Sequence, residues 1–173
     1  FVGGLRPSKG IYEFFKIVKI FKKKYKKTKW IIIGSGSKEI ENEFKNQIVK
    51  LKLNENIVWK RYLKSNKDVY KNLKLSKVFV STSHEEGWGI SICEALACGI
   101  PVVANNLKTF SYLGNKIFRE KNTNLEKFTQ KISFLINQRI SFKDSKFIKK
   151  FSWENISNNE IKIINNLLEN KNV

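Results

Sequence analysis

The chain has 173 residues, 41% of them hydrophobic, a composition that supports a folded domain with a sizeable core and excludes a disordered segment for most of its length. No run approaches the roughly 18 apolar residues that a membrane-spanning helix needs, and Cys93 and Cys98 are spaced for neither a disulfide nor a zinc site. The formal net charge of +19 favours anionic partners, although a genome-wide bias toward Asn, Ile and Lys would give the same charge on plain solvated surface.

The chain contains no methionine and opens on Phe1-Val2-Gly3-Gly4, which is typical of a strand that runs into a turn. We therefore expect it to be a piece of a longer protein. Apolar periodicity and apolar runs then predict the following elements in chain order: helix 11–25, strand 30–34, helix 38–51, strand 56–61, helix 68–75, strand 77–81, helix 89–98, strand 101–104, an edge strand at 117–118, and helices 125–138, 143–150 and 153–169.

This alternation of helices and strands predicts the α/β class. The strands are continuously apolar, which favours a parallel sheet covered by helices on both faces. Ligands of such sheets bind beyond the carboxyl ends of the strands. We find no internal repeat and no linker-like stretch, so residues 1–173 are expected to form one domain, with a C-terminal helix from about residue 153 that Ser152 caps.

The segment Gly3–Gly10 lies between a predicted strand end and a predicted helix, where backbone amides and a lysine can hold a diphosphate. Alone the signal is weak, because a Gly/Pro-rich loop with one lysine is more often a plain connection. A second motif further along the chain reverses that balance and makes Lys9 a candidate phosphate ligand.

The second motif runs from Glu86 to Glu94 and includes two carboxylates, a glycine-flanked aromatic and a helix start. The turn Gly87-Trp88-Gly89 precedes the helix, so free backbone N–H groups and the helix dipole favour a phosphate there. Glu94 emerges from the helix beside that turn and is suited to accept two hydrogen bonds from a ribose diol. The alternatives are a solvated helix glutamate for Glu94 and a charge that only interacts with the helix dipole for Glu86.

This pattern resembles the Glu-x7-Glu signature of retaining GT-B-type glycosyltransferases, specifically the family-four group. The resemblance covers nearly the whole chain, since the Lys9-Gly10 pair matches the end of the family's Gly-Arg-Leu-x3-Lys-Gly segment and Phe151-Ser152-Trp153-Glu154 is similar to its closing element. It implies the Rossmann-like, C-terminal donor-binding domain of an enzyme that moves a sugar, with retention, from a nucleoside diphosphate to an acceptor.

The resemblance also implies roles for particular residues. Glu86 would face the transferred sugar and stabilise positive charge at the anomeric carbon, and Glu94 would bind the ribose. Lys9 would neutralise the diphosphate together with an arginine, but Gly4 occupies the arginine's position, and Arg6 on the same loop is its candidate replacement. Leu63 is the expected contact of the nucleobase.

The turn before the helix would bind the donor through the backbone of Gly87, Trp88, Gly89 and Ile90. We expect the Trp88 side chain itself to be buried and to serve packing only. Glu85 is expected to be solvated, and His84 to take no part in the chemistry, because the family requires no histidine there. The loop 105–112 is divergent from the family and carries no prediction about the sugar.

The expected partners are a nucleotide sugar, an N-terminal acceptor domain of the same protein, a glycan or lipid-linked acceptor, and an anionic membrane surface near the basic region 16–29. We expect no metal, no other cofactor and no nucleic acid. The chain is expected to be cytoplasmic or peripheral at the membrane's cytoplasmic face, and inactive in isolation.

Two other functions stay open. The absent loop arginine fits a non-catalytic sugar-nucleotide-binding or regulatory module of the same fold. The lysine content fits a basic nucleic-acid-binding domain, although no RNP-like, helix-turn-helix or zinc pattern accompanies it.

Overall fold

The computed structural model of the chain describes residues 1–138 and 149–169. The chain divides into two units, Phe1–Phe142 and Lys143–Val173. The first contains α1 Ile11–Lys24, β1 Trp30–Ile32, α2 Lys38–Lys50, β2 Ile57–Trp59, α3 Asn66–Lys74, β3 Phe79–Ser81, α4 Ile90–Ala97, β4 Val102–Asn105, β5 Phe118–Glu120 and α5 Leu125–Gln138. The second contains α6 Trp153–Glu169.

All strand pairs between these elements are parallel. β1 pairs with β2 in the register Trp30 to Ile57, and Val2 forms a further parallel bridge with Ile33. β1 and β2 form a two-stranded sheet, and β3, β4 and β5 form a separate three-stranded sheet with β4 in the middle, so that β5 is the predicted edge strand. Alternating helices and parallel strands confirm the predicted α/β class, and the carboxyl ends of β3 and β4 lie at one edge of the sheet.

The core is built on α1, whose apolar face is completely covered. Phe14 contacts Trp30 of β1 edge-to-face at 5.4 Å between ring centroids, and Phe15 contacts Phe44 of α2 at 5.0 Å. α1 also packs against α5, where Phe128 is fully buried. Aromatic rings of this size dominate core energetics because each removes a large apolar area from water. α1 therefore fixes the loop that immediately precedes it.

The predicted helices that the structure describes agree with the observed ones to within about two residues at each end. β1, β2 and β3 are shorter than predicted, whereas β4 has the predicted length and β5 is one residue longer. Most of the predicted helix 143–150 lies outside the described residues. The Ser152 hydroxyl accepts a hydrogen bond from the Asn155 N–H at 3.3 Å, which confirms the cap predicted for α6.

Gly10 makes the closest backbone contact between the loop before α1 and the end of β3. It has a φ of 68°, and a Cβ at this position would collide with the Thr82 carbonyl oxygen. The Thr82 hydroxyl in turn donates to the Gly10 carbonyl at 2.8 Å. Only glycine satisfies both the left-handed conformation and the close approach.

We predict that Gly10→Ala lowers the free energy of unfolding by about 2 kcal/mol or more, because it adds left-handed strain to a collision with backbone. Gly87→Ala is the matched control, since a Cβ there meets nothing within 4 Å, and it should change stability by less than about 0.5 kcal/mol. Urea denaturation of both variants measures the difference. Equal effects of the two substitutions would contradict the prediction.

Candidate active site

The loop before α1 holds Lys9 at the carboxyl end of β3. Leu5 anchors the loop, because its side chain is fully buried and its N–H donates to the Ser35 carbonyl, on the loop after β1, at 3.0 Å. A 3₁₀ turn over Pro7–Lys9 follows, and Gly10 closes it against Thr82. As a result, the Lys9 side chain lines a cavity at this end of the strand.

An ion pair joins the two loops that carry the predicted motifs. Lys9 Nζ lies 2.8 Å from Glu86 Oε1, and the two side chains are only 18% and 15% exposed. The Ser83 hydroxyl donates to the same carboxylate oxygen at 2.9 Å. Bulk salt screens a partly buried pair less than a surface pair, and the Ser83 hydroxyl adds a charge-assisted bond. The Glu86 carboxylate is therefore held in one orientation.

Glu94 lies in the second turn of α4, where its carboxyl group is partly removed from water. Burial raises the pKa of this carboxyl group above its ordinary value of 4.5, and the hydrogen bond from the Tyr70 hydroxyl opposes that rise. The Tyr70 bond is long, 3.4 Å to Oε1, so it replaces only part of the lost hydration. The carboxylate can accept further hydrogen bonds from a ligand, such as those of a diol.

The turn before α4 brings backbone N–H groups to the same cavity. Gly89 is the N-cap with a φ of 84°, and a Cβ on it would lie 2.8 Å from the Phe110 ring. Because Gly89 has no side chain, no capping group of its own competes for the N–H groups of the first turn. Ile90 and Ser91 of that turn line the cavity, as an anion site at a helix start requires.

Trp88 is not buried, so the expectation that its side chain is buried is wrong. The indole is 45% exposed and lines the cavity. It stacks on Tyr112, with ring centroids 4.6 Å apart and an interplanar angle of 24°. The partner ring comes from the divergent loop after β4, where the sequence carried no recognisable motif.

A single cavity of about 300 Å³ collects most of the predicted site. The predicted residues that line it are Lys9, Glu86, Trp88, Gly89, Ile90 and Glu94. Sequence reasoning missed the other lining residues, Phe1, Val2, Gly3, Phe79, Val80, Ser81, Ser83 and Ser91. Ser83 did carry a signal, because hydroxyl residues that follow an apolar strand stand at its carboxyl end, where ligands bind.

Four predicted residues do not line the cavity: Gly4, Arg6, Leu63 and Gly87. Arg6 is exposed on the loop before α1, and a Cβ on Gly4 would lie 3.3 Å from Arg6 Nε. The Arg6 side chain thus occupies the space into which a longer side chain at residue 4 would extend. Leu63 is half-buried on the loop after β2.

A buried network of asparagines supports the loop that carries Glu86. Asn105 donates to the Ser83 carbonyl at 2.8 Å, and its side-chain oxygen accepts from the Asn122 N–H at 3.1 Å. The Asn122 amide donates to the Thr82 carbonyl at 3.1 Å and lies 3.3 Å from His84 Nδ1. These bonds hold the chain after β3 in place. Nothing in the sequence distinguished the two asparagines from those in ordinary loops.

His84 lies outside the cavity lining and makes a hydrogen bond to α1. Its Nε2 is 3.0 Å from Glu13 Oε2, and the Asn122 amide at Nδ1 favours the tautomer that carries its proton on Nε2. This arrangement ties the start of α1 to the loop after β3. These contacts give the histidine a structural role.

Within residues 1–138 and 149–169, no three His, Cys, Asp or Glu side chains come together as a potential metal site. No helix in the same residues is both long enough and apolar enough to span a bilayer. The half-buried thiols of Cys93 and Cys98 are unpaired with each other.

We predict that Glu94→Gln raises the melting temperature at pH 7. Because the folded-state pKa of Glu94 lies above the unfolded value of 4.5, the folded chain binds this proton more tightly. Its contribution to stability is therefore full below pH 4.5 and is lost as the pH rises through the folded pKa. Glutamine removes the charge and keeps the shape.

Melting curves of wild type and variant at pH 7 and at pH 4 measure this effect, and the difference should shrink at the lower pH. Glu85→Gln, at an exposed carboxylate on the loop before α4, is the control and should leave the curve unchanged at both pH values. A lower melting temperature for Glu94→Gln at pH 7 would contradict the assignment of a desolvated carboxylate.

Comparison with known proteins identifies relatives along most of the chain. A poly(glycerol-phosphate) alpha-glucosyltransferase of Bacillus subtilis (strain 168) is 29% identical over 180 aligned residues, 97% of this chain and 26% of the relative. A poly(ribitol-phosphate) alpha-N-acetylglucosaminyltransferase of Staphylococcus aureus (strain COL) is 27% identical over 169 residues, 92% and 33% of the two chains.

The fold is similar to a solved structure of an S. aureus TarM mutant in complex with Fondaparinux, alpha-GlcNAc-glycerol and UDP. The TM-score is 0.81 at 27% identity, over 95% of this chain and 34% of that chain. This chain therefore spans about a quarter to a third of the length of these relatives. The Rossmann-like fold of GT-B glycosyltransferases is thereby confirmed.

A family model described as glycosyl transferases group 1 matches residues 1–151, and because that match covers most of the sequence, the chain belongs to the group 1 glycosyltransferase family.

Proposed function

We propose that this chain is the donor-binding part of a retaining glycosyltransferase, and that it binds a nucleoside-diphosphate sugar in the cavity at the end of β3. One observation carries the proposal: Lys9, Glu86, Glu94 and the start of α4 converge on that one cavity. A cation, free N–H groups and two carboxylates match the diphosphate, the ribose and the sugar of such a donor.

The diphosphate is proposed to lie between Lys9 and the first turn of α4. Lys9 already pairs with the Glu86 carboxylate, so an entering phosphate would bind the same ammonium group beside that carboxylate. The N–H groups of a helix start add positive potential without a metal. The same groups would stabilise the departing diphosphate, and metal independence is part of the proposal.

Glu86 is proposed to face the transferred sugar. Ser83 and Lys9 fix its carboxylate, so it offers fixed negative charge where positive charge develops at the anomeric carbon. Retention is supported by the relatives' names, which specify alpha-glucosyl and alpha-N-acetylglucosaminyl transfer. An α product from an α-linked sugar nucleotide requires retention.

The acceptor is proposed to be a glycan or a polymer that carries phosphate, bound largely by an N-terminal domain of the longer protein. Two relatives are named for polyol-phosphate polymers, and a net charge of +19 suits a polyanion or an anionic membrane surface. The chain alone would bind donor without completing transfer. A cytoplasmic location, peripheral at the membrane, fits this role.

A non-catalytic sugar-nucleotide module is the second candidate. Gly4 stands where the family has an arginine, and Arg6 does not line the cavity. If Arg6 does not reach the diphosphate, transition-state stabilisation would be incomplete even though the nucleotide binds.

We predict that calorimetric titration with UDP, GDP and ADP finds one nucleotide that binds without Mg²⁺. Glu94→Ala should weaken the affinity for that nucleotide at least about tenfold, because charge-assisted bonds to the ribose are lost. The 2′-deoxy nucleotide sharpens the test: wild type should prefer the ribose form, and Glu94→Ala should show no preference. Glu85→Ala is the matched control. An unchanged preference in Glu94→Ala would refute the ribose role, and no binding of any nucleotide would refute the donor site.

We predict that the exposed Arg6 side chain turns toward the diphosphate when the nucleotide binds, so that Arg6→Ala lowers the selectivity for the nucleoside diphosphate over the monophosphate by about 5- to 10-fold. The same change vacates the space beside Gly4, so Gly4→Arg combined with Arg6→Ala should restore the selectivity. Arg61→Ala is the control, because Arg61 lies on the loop after β2 and pairs with Glu41 of α2. Unaltered selectivity in Arg6→Ala would favour the non-catalytic module.

A further inference from the structure

Trp88, which lines the cavity, and Tyr112, which stacks on it, form an aromatic wall, and the proposed donor and acceptor chemistry leaves this wall without a role. Single exposed apolar side chains are common on protein surfaces, but this indole lines the cavity in which the donor is proposed to bind. We propose that the Trp88 indole is a sugar-binding platform that receives the C–H face of a hexose ring. This inference rests on the proposed function and assigns the sugar a contact beyond Glu86.

The wall is rigid because Tyr112 is fixed on three sides. Its ring lies 4.6 Å from the indole, its hydroxyl donates to the Trp88 carbonyl at 2.7 Å, and the same oxygen lies 3.4 Å from Cys93 Sγ. Burial raises the pKa of the Tyr112 phenol, so the hydroxyl stays protonated and remains a donor. A ring held in advance loses little conformational entropy when a ligand stacks on it.

The backbone beneath the wall is fixed as well. Phe110 is fully buried and lies against Gly89 so closely that a Cβ there would be 2.8 Å from its ring. Phe110 and Tyr112 belong to the same 3₁₀ segment, Lys108–Lys116, after β4. This segment therefore sets both the start of α4 and the angle of the indole.

A hexose fits the mixture of groups better than the other parts of the donor do. Its hydroxyl edge suits the Glu86 carboxylate two residues from Trp88, while its C–H face is apolar and suits an aromatic face. The diphosphate gains nothing from an uncharged indole. A nucleobase could stack on it, but Tyr70 is the aromatic side chain that contacts Glu94, the proposed ribose ligand. The transferred sugar and the acceptor sugar both have a ring with an apolar C–H face, so the test distinguishes which of them binds the indole.

The test compares ligands with and without a sugar on the 173-residue chain. Calorimetry gives the affinities for UDP and for UDP-glucose or UDP-N-acetylglucosamine, and separately for methyl α-glucoside or alpha-GlcNAc-glycerol added to UDP-saturated protein. The variants are Trp88→Ala, Trp88→Phe and the control Trp153→Ala, which removes an exposed indole of the second unit. Circular dichroism verifies that each variant is folded.

We expect Trp88→Ala to reduce the extra affinity that the sugar confers by about 3- to 10-fold, with UDP itself within about 2-fold of wild type. Trp88→Phe should lose less, because a smaller ring can still stack, and Trp153→Ala should lose nothing. A loss confined to UDP-sugars identifies the transferred ring, and a loss confined to the free glycosides identifies the acceptor ring.

Two results would overturn the platform while leaving the donor site standing. In one, UDP binds and the sugar's contribution is the same in Trp88→Ala and wild type, so the aromatic pair only joins two loops. In the other, Trp88→Ala weakens UDP and UDP-sugars equally, so the indole stacks on the base. Failure of wild type to bind any nucleotide would overturn the donor site itself and the platform with it.

Discussion

The close contact of Gly10 with the Thr82 carbonyl is the constraint on which the candidate site depends. It joins the loop before α1 to the carboxyl end of β3, two segments more than seventy residues apart in the chain. Any side chain at residue 10 would collide with the Thr82 carbonyl, so the two segments could not approach this closely. The approach brings Lys9 to the segment that carries Glu86, and the His84 N–H, which donates to the Ser8 carbonyl at 2.8 Å, joins the same two segments.

Polar groups near the site divide into a satisfied set and an incompletely satisfied set. Asn105 and Asn122 are buried, and both side chains donate to the backbone after β3, while the Asn105 side-chain oxygen accepts from the Asn122 backbone N–H. Buried polar networks of this kind stabilise one conformation only when their members are paired. This network holds the residues after β3 steady, which allows Glu86 on the same segment to keep a fixed position beside Lys9.

The sequence predicted what depends on near neighbours. Helix α1 could be predicted because its buried residues recur every three or four positions. Lys9, Glu86 and Glu94 could be identified as candidates because they lie near predicted strand ends and a helix start. Contacts between distant segments could not be predicted. Tyr112 lies 24 residues from Trp88, and Asn122 lies 40 residues from Thr82. Their side chains have no local pattern, so only the folded chain reveals which loops meet.

The groups that face the cavity are incompletely satisfied in ways that complement a single ligand. Within the part of the chain that the structure describes, Lys9 pairs with one carboxylate, no side chain caps the start of α4, and Glu94 accepts a long bond from Tyr70. Each can take a further contact of a different kind: a second anion, an acceptor and a donor, respectively. A site completed within the protein, like that of the asparagines, would stabilise the fold further but could offer nothing to a ligand. The capacity of these groups for further polar contacts is thus the physical basis for binding at this edge of the sheet.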